Sequence, residues 1–593
     1  MIAAVVALSL AAAAHAAATR VATTDAAVAG EVAAATAQSG SSGQGSSSQA
    51  SSARTDEIKK LYDAGEWEEV VRATAEGEGA AADEDFYRGM ALAKLQRWSE
   101  ARVALATGER KAPEDERFPV ELAGVAYKLK DFAAAERELR RALRLAPKDA
   151  YALNFLASIY FLRGNLEAAL EYWNRAGLPR VNEVKEEPEP QVNAELLDRA
   201  IAFAPLSTLE LRDFETTEAR LDGLGIFAFH RWELKPVEGG AENSFDAIFH
   251  SVERNGFGGN KWLAALSMLR GLPYETVYPE YDNARHRAVN FDGLLRFDPQ
   301  KERAFAEVSA PVGGDPRWRA RAWVDGRDEN WNISESFAGA SAPITDLKLR
   351  KIEAGAGIRS IESGRWSWET GAAFARRSFR NQTGLETQAA PFFTDGNSLE
   401  LRASTNYRLL WLPDRRLSLD AGASGTVGRF FAAPLSTYAI GTGALELRWL
   451  PQEQGDDYEM RTSLRAGGTG GRVPLDDLFT LGVERDDNDL WLRGISTTHD
   501  GRKGNSPMGR DYVLWNWEQD KIVYHGAFFQ VRVGPLLDAG KIADPSGLFG
   551  SGGWLWDPGA QVKVRVLDTI EVVFSYGHDM RSGQNVFFGA TGK

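Results

Sequence analysis

The chain has 593 residues, no cysteine and a formal net charge of −14. Without cysteine it has neither a disulfide framework nor a thiolate metal site, and the negative charge argues against nucleic acid as a partner. After the N-terminus no apolar stretch reaches the roughly 18 residues that a transmembrane helix needs, so membrane-spanning helices are not expected.

The first 54 residues predict a targeting segment and a linker. Residues 1–18 contain a short apolar run, and Ala14-His15-Ala16 fits the small-residue cleavage site of a secretory signal peptide. An Ala-rich disordered start is the alternative. Residues 19–54 become rich in Gly, Ser, Gln and Ala, which indicates a flexible linker. We therefore expect export from the cytoplasm.

Residues 55–178 carry an internal repeat. Large apolar residues recur every 34 positions at Trp98, Phe132 and Leu166, and small residues recur at Ala101, Ala135 and Ala169. A period of about 34 residues, with small residues where helices cross, resembles the tetratricopeptide repeat. Such an all-α solenoid is a docking surface. The resemblance implies a periplasmic or envelope protein partner, and a plain helical bundle is the alternative.

Residues 180–254 predict a small α+β domain. One strand precedes two helices and two further strands follow, and Gly225 ends the second helix. The order β-α-α-β-β resembles a polypeptide-transport-associated (POTRA) domain. A nondescript α+β linker domain is the alternative.

Residues 255–593 alternate between apolar and polar side chains. Leu399 and Leu401, for example, alternate with Glu400 and Arg402. Alternation alone also fits a soluble sandwich. However, many runs reach about ten residues or more, and 13 of the 17 Trp lie here, as expected for membrane-spanning strands with aromatic girdles. We therefore predict an antiparallel transmembrane β-barrel, because only closure satisfies every backbone group in lipid.

Sixteen candidate strands can be marked in this region, an even number as in bacterial barrels. They are Lys261–Met268, Glu275–Asn283, Ala288–Asp298, Arg303–Ala310, Arg317–Ile333, Leu347–Ile361, Arg365–Phe379, Ser398–Leu412, Arg416–Phe430, Thr437–Leu450, Tyr458–Gly467, Tyr512–Val523, His525–Ile542, Trp556–Leu567, Ile570–His578 and Asn585–Gly592. The first of them fits a helix equally well.

A loop of roughly forty residues separates the eleventh and twelfth candidate strands and contains Arg493 and Gly494. Glu518 and Asp538 lie on the polar faces of the next two strands. The POTRA-like module, the strand count and this loop together resemble the BamA/TamA superfamily of outer-membrane assembly and translocation barrels. The resemblance implies that the loop tucks into the barrel and that Arg493 pairs with both carboxylates. The family has an aromatic residue where this chain has Ile495, and a solvated loop arginine is the alternative.

The resemblance also implies a weak seam between the last strand and the first. Here the last strand contains Phe587 and Phe588, and Gly589 and Gly592 would weaken its ladder of hydrogen bonds. A strand edge with free N–H and C=O groups is a template for an incoming strand. We therefore expect this seam to take part in the passage of a client.

No cofactor, metal or catalytic constellation stands out, because the seven His are scattered, so we do not expect an enzyme. The resemblance implies a protein of the Gram-negative outer membrane, in contact with its lipid, with N-terminal domains in the periplasm. It implies insertion or translocation of an unfolded or secreted polypeptide client. Two alternatives stay open: a polysaccharide-export porin with a periplasmic repeat scaffold, and a membrane-anchored structural scaffold of an envelope complex. The exporter predicts lumen charges of one sign and no loop plug.

Overall fold

The structure is a computed structural model, and it describes residues 45–74, 81–239, 243–258, 261–334, 343–383, 393, 395–431, 435–452, 455–485, 488–526, 528–544, 552–566 and 570–592. The predicted signal peptide, residues 1–18, and the predicted linker up to residue 44 lie outside these ranges. The chain forms two compact units, Met1–Pro179 and Arg180–Lys593.

The described part of the first unit is helical. Its helices are α1 Gly45–Asp63, α2 Trp67–Ala73, α3 Ala82–Lys94, α4 Trp98–Lys111, α5 Arg117–Lys128, α6 Phe132–Leu145, α7 Ala150–Leu162 and α8 Leu166–Arg175. Helices α4, α6 and α8 each begin at a predicted large apolar position. The small residue three positions later is buried in each of them: Ala101, Ala135 and Ala169. This spacing places the small side chains where neighbouring helices approach.

The caps of these helices follow from the sequence. Asp131 accepts a hydrogen bond from the Ala134 backbone N–H at 3.1 Å, and Asn165 accepts one from Ala168 at 3.1 Å. Each cap satisfies a backbone donor that the first helical turn leaves without a partner. The caps therefore fix the starts of α6 and α8.

Helix α1 begins inside the predicted linker, because residues 45–54 are helical rather than coil. After Gly45 this stretch contains neither Gly nor Pro, the residues that end helices most effectively. Its helix continues into Ile58, which is buried in an apolar cluster with residues of the following helices. Packing of the far end thus extends the helix into a Ser-rich sequence.

The second unit begins with a small α+β layer. Its elements are β1 Arg180–Glu186, α9 Ala194–Ala200, α10 Leu211–Leu224, β2 Phe227–Pro236 and β3 Ser244–Glu253. The strand order is β1-β3-β2, with β1 parallel and β2 antiparallel to the central β3. Gly225 ends α10 in the left-handed conformation, with φ of 66°. The carbonyl of Leu224 accepts hydrogen bonds from Asn290 and Arg319 of the barrel, both at 3.0 Å.

The first predicted strand, Lys261–Met268, is wrong, because the structure has helix α11 there, Lys261–Leu269. The run Trp-Leu-Ala-Ala-Leu-Ser-Met-Leu is apolar without a period of two, and Ala, Leu and Met favour helices. Within the described ranges, no helix has the length and apolar character to span a bilayer.

Most of the remaining strands form one closed antiparallel barrel. The strands that follow α11 are β4 Thr276–Val277, β5 Glu280–Ala284, β6 Val289–Asp298, β7 Lys301–Val312, β8 Asp315–Ser334, β9 Pro343–Ile361, β10 Trp366–Thr383, β11 Gly396–Leu412, β12 Leu417–Phe430, β13 Ser436–Trp449, β14 Tyr458–Gly471, β15 Phe479–Thr480, β16 Thr498–His499, β17 Arg502–Lys503, β18 Met508–Gly509, β19 Asp511–His525, β20 Phe529–Ala543, β21 Leu555–Val566, β22 Ile570–His578 and β23 Asn585–Gly592. Strands β15 and β18 form a separate small sheet.

The barrel order contains eighteen strand segments among the described residues, not the predicted sixteen. The predicted strand Glu275–Asn283 is divided into β4 and β5, because Pro279 between them has no N–H for the ladder. Two further segments, β16 and β17, are two-residue strands inside the long loop. The other predicted strands lie within a few residues of the observed ones.

The barrel carries its apolar side chains on the outside. On β11, Leu401 is 60% exposed whereas the adjacent Glu400 is 1% exposed. On β10, Arg377 is buried on the inner face while Phe374 is exposed on the outer face. This arrangement is the reverse of a soluble domain and is typical of a barrel whose outer surface meets lipid.

Candidate functional site

The loop between β14 and β19, residues 472–510, is the candidate site, and we call it the lumen loop. Strands β14 and β19 pair directly with each other, so the loop is not needed to complete the wall. Its side chains contact inward-facing residues of strands on different sides of the barrel, as described below. The lumen loop therefore occupies the interior of the barrel.

Arg493 binds Asp538 of β20 through a two-point contact. Its Nε donates to Asp538 Oδ2 at 2.8 Å and its Nη2 donates to Oδ1 at 2.6 Å. The Arg493 backbone N–H also donates to Asp538 Oδ2, at 2.9 Å. Both side chains are buried. The paired fork is the strongest common geometry for an arginine and a carboxylate, and it sets the direction as well as the position of the loop.

Glu518 lies in the same cluster but plays a lesser part than the sequence predicted. The distance from its Oε1 to Arg493 Nη1 is 3.6 Å, which is an ion pair rather than a hydrogen bond. Its closer partners are Lys563 Nζ, at 2.6 Å, and Gln561 Nε2. Arg493 thus binds Asp538 through direct hydrogen bonds and Glu518 only through a longer ion pair.

Three residues that the sequence analysis did not select complete this anchor. Asn516 Nδ2 donates to Asp538 Oδ1 at 2.7 Å, and Gln561 Oε1 accepts from Arg493 Nη1 at 3.1 Å. Asp557 Oδ2 accepts from the Gly494 backbone N–H at 2.7 Å. All three face inward on β19 or β21, and the alternation of those strands was the available signal.

Gly494 is required by close packing. A Cβ atom at this position would lie 2.5 Å from the Asp579 backbone nitrogen and 2.7 Å from the His578 carbonyl carbon. Real Cβ atoms do not approach backbone that closely, so any other residue would displace the loop from the wall. The glycine lets the backbone after Arg493 lie against β22.

Ile495 packs in an apolar cluster. It shares this cluster with Leu481, Leu490 and Leu492 of the lumen loop and with Leu514 and other wall residues. The members of this cluster come from both the loop and the wall, so its packing adds an apolar contact beside the sequence position of Arg493. An aliphatic residue therefore fills the place where the family pattern has an aromatic one.

A second anchor holds the start of the lumen loop to the other side of the barrel. Asp476 and Asp477 lie in a short 3-10 helix, Leu475–Asp477, and both bind Arg377 of β10. Arg377 Nε donates to Asp476 at 2.9 Å and its Nη2 donates to Asp477 at 2.8 Å. Lys351 of β9 lies 3.0 Å from Asp476. This anchor was not predicted from the sequence.

The second anchor is buried and satisfied. Arg377 also donates to Ser398 at 2.7 Å and to Glu400 at 3.2 Å. Glu400 accepts a further hydrogen bond from the Tyr438 hydroxyl at 2.7 Å. A buried charge is tolerated only when it is paired and hydrogen-bonded, and this network meets that condition.

The end of the lumen loop contacts a third position on the wall. Lys503 of β17 lies 2.8 Å from Glu329 of β8 and 3.4 Å from Glu484 of the loop itself. Strand β17 also pairs with β8, where Lys503 is opposite Trp331. The loop is therefore fixed to β8–β11 near its two ends and to β19–β21 near its middle.

A cavity of about 440 Å³ lies between the loop and the wall, and Arg327, Arg465, Lys351 and Asp489 are among its lining residues. That volume is in the range of a small-molecule pocket. Because the loop is anchored to separate parts of the wall, we expect passage of a chain through the lumen to require the loop to move.

The predicted seam residues all lie on β23, which pairs with β22. Phe587 is exposed and its ring lies 4.9 Å from that of Tyr576. Phe588 contacts Trp491 of the lumen loop, with 5.5 Å between ring centroids. Gly589 and Gly592 are paired with Phe574 and Glu571 of β22, so both glycines take part in that ladder.

No group of three or more His, Asp or Glu side chains suited to a metal ion occurs among the residues that the structure describes. The acidic and basic side chains of the lumen instead pair with each other, as in the two anchors above. What this arrangement can do is hold a loop in place reversibly, since it is built from ion pairs and hydrogen bonds.

A scan against models of protein families finds no match, and a search of curated proteins finds none. Among solved structures, the chain is similar to BamA from Haemophilus ducreyi lacking POTRA domains 1–3, with 15% identity, 70% of this chain and 84% of that chain covered, and a TM-score of 0.41. CdiB from Escherichia coli is 13% identical, with 69% of this chain and 73% of that chain covered and a TM-score of 0.46. CdiB from Acinetobacter baumannii is 12% identical, with 77% of this chain and 81% of that chain covered and a TM-score of 0.41. Identities and TM-scores this low carry no argument about function, which rests on the residues of the site.

Proposed function

We propose that this chain is a barrel of the Gram-negative outer membrane that inserts or translocates polypeptides, with the lumen loop as a movable plug. The apolar outer surface supports contact with outer-membrane lipid. The helical repeats and the small α+β layer would lie in the periplasm and dock partner proteins or the client. The proposed role is transport without catalysis or a cofactor.

The observation that carries this proposal is the Arg493–Asp538 anchor. A barrel that served only as an anchor in the membrane would have no need of a loop locked to its inner wall by a buried two-point ion pair. A permanently open pore would have no such plug. A loop held by polar contacts, beside a cavity of about 440 Å³, fits a passage that is closed at rest and opens on demand.

The lumen disfavours the polysaccharide exporter. That alternative predicts inward charges of one sign and no plug. The inner wall instead mixes signs within single clusters, as Arg402 with Glu353 at 2.9 Å and Arg532 with Glu459 at 2.7 Å. Charges that are already paired with the opposite sign do not form the uniform track that an anionic polymer would need. The structural scaffold stays as the rival to be tested.

The test is depletion of the protein followed by complementation with Arg493→Ala. We would quantify the outer-membrane proteome, secreted proteins and surface polysaccharide in the same cells. Polypeptide transport predicts loss of other barrels or of a secreted protein, restored by the parent and not by Arg493→Ala. Full rescue by Arg493→Ala would favour the scaffold, and loss of polysaccharide alone would favour the exporter.

The matched control is Arg502→Ala. Arg502 belongs to the same loop and pairs with Asp346 at 3.5 Å, but both side chains are about half exposed. Exposed pairs of this kind contribute little to stability, about 0–1 kcal/mol. Arg502→Ala should therefore rescue like the parent protein, which separates loss of the anchor from loss of a positive charge in the loop.

A further inference from the structure

The closure between β23 and the start of the barrel is the shortest part of the wall. Strand β23 pairs with β22 over its full length, but its neighbour on the other side, β4, consists of only two residues. Pro279 then interrupts the strand before β5 begins. A short interrupted strand offers few backbone hydrogen bonds, so side chains must supply part of the closure.

One side chain of the lumen loop touches both sides of this closure. The guanidinium of Arg485 lies over the ring of Tyr274, just before β4, at 3.3 Å from the ring centroid. The same guanidinium donates through Nη2 to the Gly589 carbonyl of β23 and lies 5.1 Å from the Phe588 centroid. Arg485 therefore bridges the turn just before β4 and the last strand.

The backbone of Arg485 is held as well. Its carbonyl accepts a hydrogen bond from Arg296 Nη2 at 3.1 Å, and Arg296 is a buried residue of β6. Trp491, six residues further along the loop, packs edge-on against Phe588. This segment of the lumen loop is thus attached to the first hairpin on one side and to the last strand on the other.

Gly589 gives the bridge its room. A Cβ atom at residue 589 would lie 2.5 Å from the Tyr274 hydroxyl, so a larger residue there would push the Tyr274 ring from its observed place. Arginine suits the bridging position, because its flat guanidinium stacks on an aromatic ring while its N–H groups donate in the plane. Lysine would keep the charge and lose the stacking geometry.

We propose that Arg485 is a latch that closes the seam between the first and last strands only while the lumen loop is docked. Withdrawal of the loop removes the guanidinium from Tyr274 and Gly589 and leaves the seam with its short backbone pairing alone. Plug and seam then open together. The consequence for client passage rests on the proposed function, whereas the latch itself is a property of the barrel and is measured without a client.

The test uses the absence of cysteine in the chain, which allows labels to be placed at will. Leu272 and Phe587 flank the seam and are 51% and 82% exposed. With both replaced by spin-labelled cysteine in the full-length protein, we expect one label-to-label distance in the parent. Arg485→Gln should add a longer-distance population, and Arg485→Lys should add it too, since stacking is lost.

The controls keep the result decisive. Arg502→Gln removes the same charge from the same loop away from the seam and should leave the distance unchanged. Tyr274→Leu removes the ring on which Arg485 stacks without changing the loop itself, and it should add the population with the longer label-to-label distance. It also replaces Arg485→Gln as the test if that variant fails to fold. The double variant Arg485→Gln/Tyr274→Leu should add no more than either change, because both act on one contact.

Two results would overturn the latch. One is a distance distribution in Arg485→Gln or Tyr274→Leu that superimposes on the parent. The other is an equal change in Arg502→Gln. The distance measurement involves no client, so it tests the latch alone. If the Arg485→Gln protein shows the longer distance while cells that carry it export proteins normally, the proposed function is refuted and the latch is retained.

Discussion

Arg493 is held by more groups than a single ion pair requires. Its side chain meets Asp538 at two points and Gln561 at a third, and its backbone N–H meets Asp538 again. The geometry uses the planar fork of arginine, which lysine lacks. The identity of this side chain, not only its charge, therefore determines whether the loop stays docked.

Replacement of Arg493 should loosen the middle of the loop, and by different amounts for alanine and lysine. Arg493→Ala leaves Asp538 buried without its cation, which costs about 3–5 kcal/mol, and Arg493→Lys should cost less but still loosen the loop because it bonds at one point. Limited proteolysis of the lumen loop in the folded barrel measures this, with Arg502→Ala as the protected control. Equal protection of parent and Arg493→Ala would contradict the prediction.

Gly494 tests the close approach of the loop to β22. Gly494→Ala places a methyl group against the backbone of His578 and Asp579, and such overpacking costs about 1–3 kcal/mol. We expect lower protection of the loop and a lower unfolding temperature. Gly470→Ala on β14 is the matched control, since its Cβ would meet no atom within 4 Å. Similar behaviour of the two variants would rule out a packing role for Gly494.

The alternation of the strands placed Asp538 on an inward face, and the family resemblance implied its pairing with Arg493, but neither pointed to Asp557 or Gln561. A long loop followed by inward carboxylates on the next strands is visible in the chain itself. The partners on β21 depend on how far the loop reaches across three strands. No local pattern encodes that reach, because it follows from the tertiary position of the loop.

The lumen loop is an element fixed at both ends and in the middle. Its start offers carboxylates to Arg377, its middle offers a cation to Asp538, and its end offers Lys503 to Glu329. Both ends are therefore held on the β8–β10 side, by wall residues of opposite charge, and the middle is held on β20. An anchor at one position alone would leave the remainder of a loop this long free to move.

The second anchor predicts a large difference between two adjacent arginines. Arg377→Ala leaves Asp476, Asp477 and Glu400 buried with less cationic compensation, so the barrel should lose about 3–5 kcal/mol of unfolding free energy. Arg376 is exposed on the outer face of β10, where a charge gains nothing from lipid, so Arg376→Ala should not destabilise the barrel. Urea unfolding of the full chain in lipid decides between them, and equal effects would show that burial of the pair is unimportant.

The α+β layer has a pH-dependent contact between β2 and α10. His230 Nε2 lies 2.9 Å from Asp222 Oδ1, and Nδ1 lies 3.6 Å from Glu218 Oε1. Burial alone would lower the pKa of His230, but the hydrogen bond to Asp222 and the charge of Glu218 outweigh it and raise the pKa. The protonated ring therefore ties the strand to the helix.

This contact predicts how stability varies with pH. Because the folded pKa of His230 is raised, its stabilisation is fully present below the unfolded pKa of about 6.5 and is lost as the pH rises through the folded value. We expect the unfolding temperature of the parent to fall as the pH rises through that window, relative to the unfolding temperature of His230→Gln. Parallel curves for the two proteins would exclude His230 as the source.

At the level of elements, the strands were predicted well where apolar and polar side chains alternate along the chain, and the prediction failed where they do not. Glu400 between two leucines marks both faces of β11. Lys261–Met268 has no such alternation, and it is helical. The second anchor was missed because Asp476 of the lumen loop and Arg377 of β10 are distant in sequence, and only the closed barrel brings them together.

For the whole molecule, the two anchors should act as independent locks. Strands β11, β12, β13, β14 and β19 separate β10 from β20 in the sheet order, so the Arg377 and Arg493 clusters are on different parts of the wall. Sites without shared partners contribute additively. The loss of one anchor leaves the loop attached by the other, and the loss of both leaves it still attached by the Lys503–Glu329 pair and by the contacts of Arg485.

The measurement is ion conductance through single barrels in a planar bilayer. We expect a closed parent, brief openings for Arg377→Ala or Arg493→Ala alone, and a longer-lived open state for the double variant, because only then are both the start and the middle of the loop free of their buried ion pairs. The double variant Arg376→Ala/Arg502→Ala removes the same number of charges outside the anchors and should stay closed. A fully open single variant, or a closed double variant of the anchors, would show that the loop is not held at two independent sites.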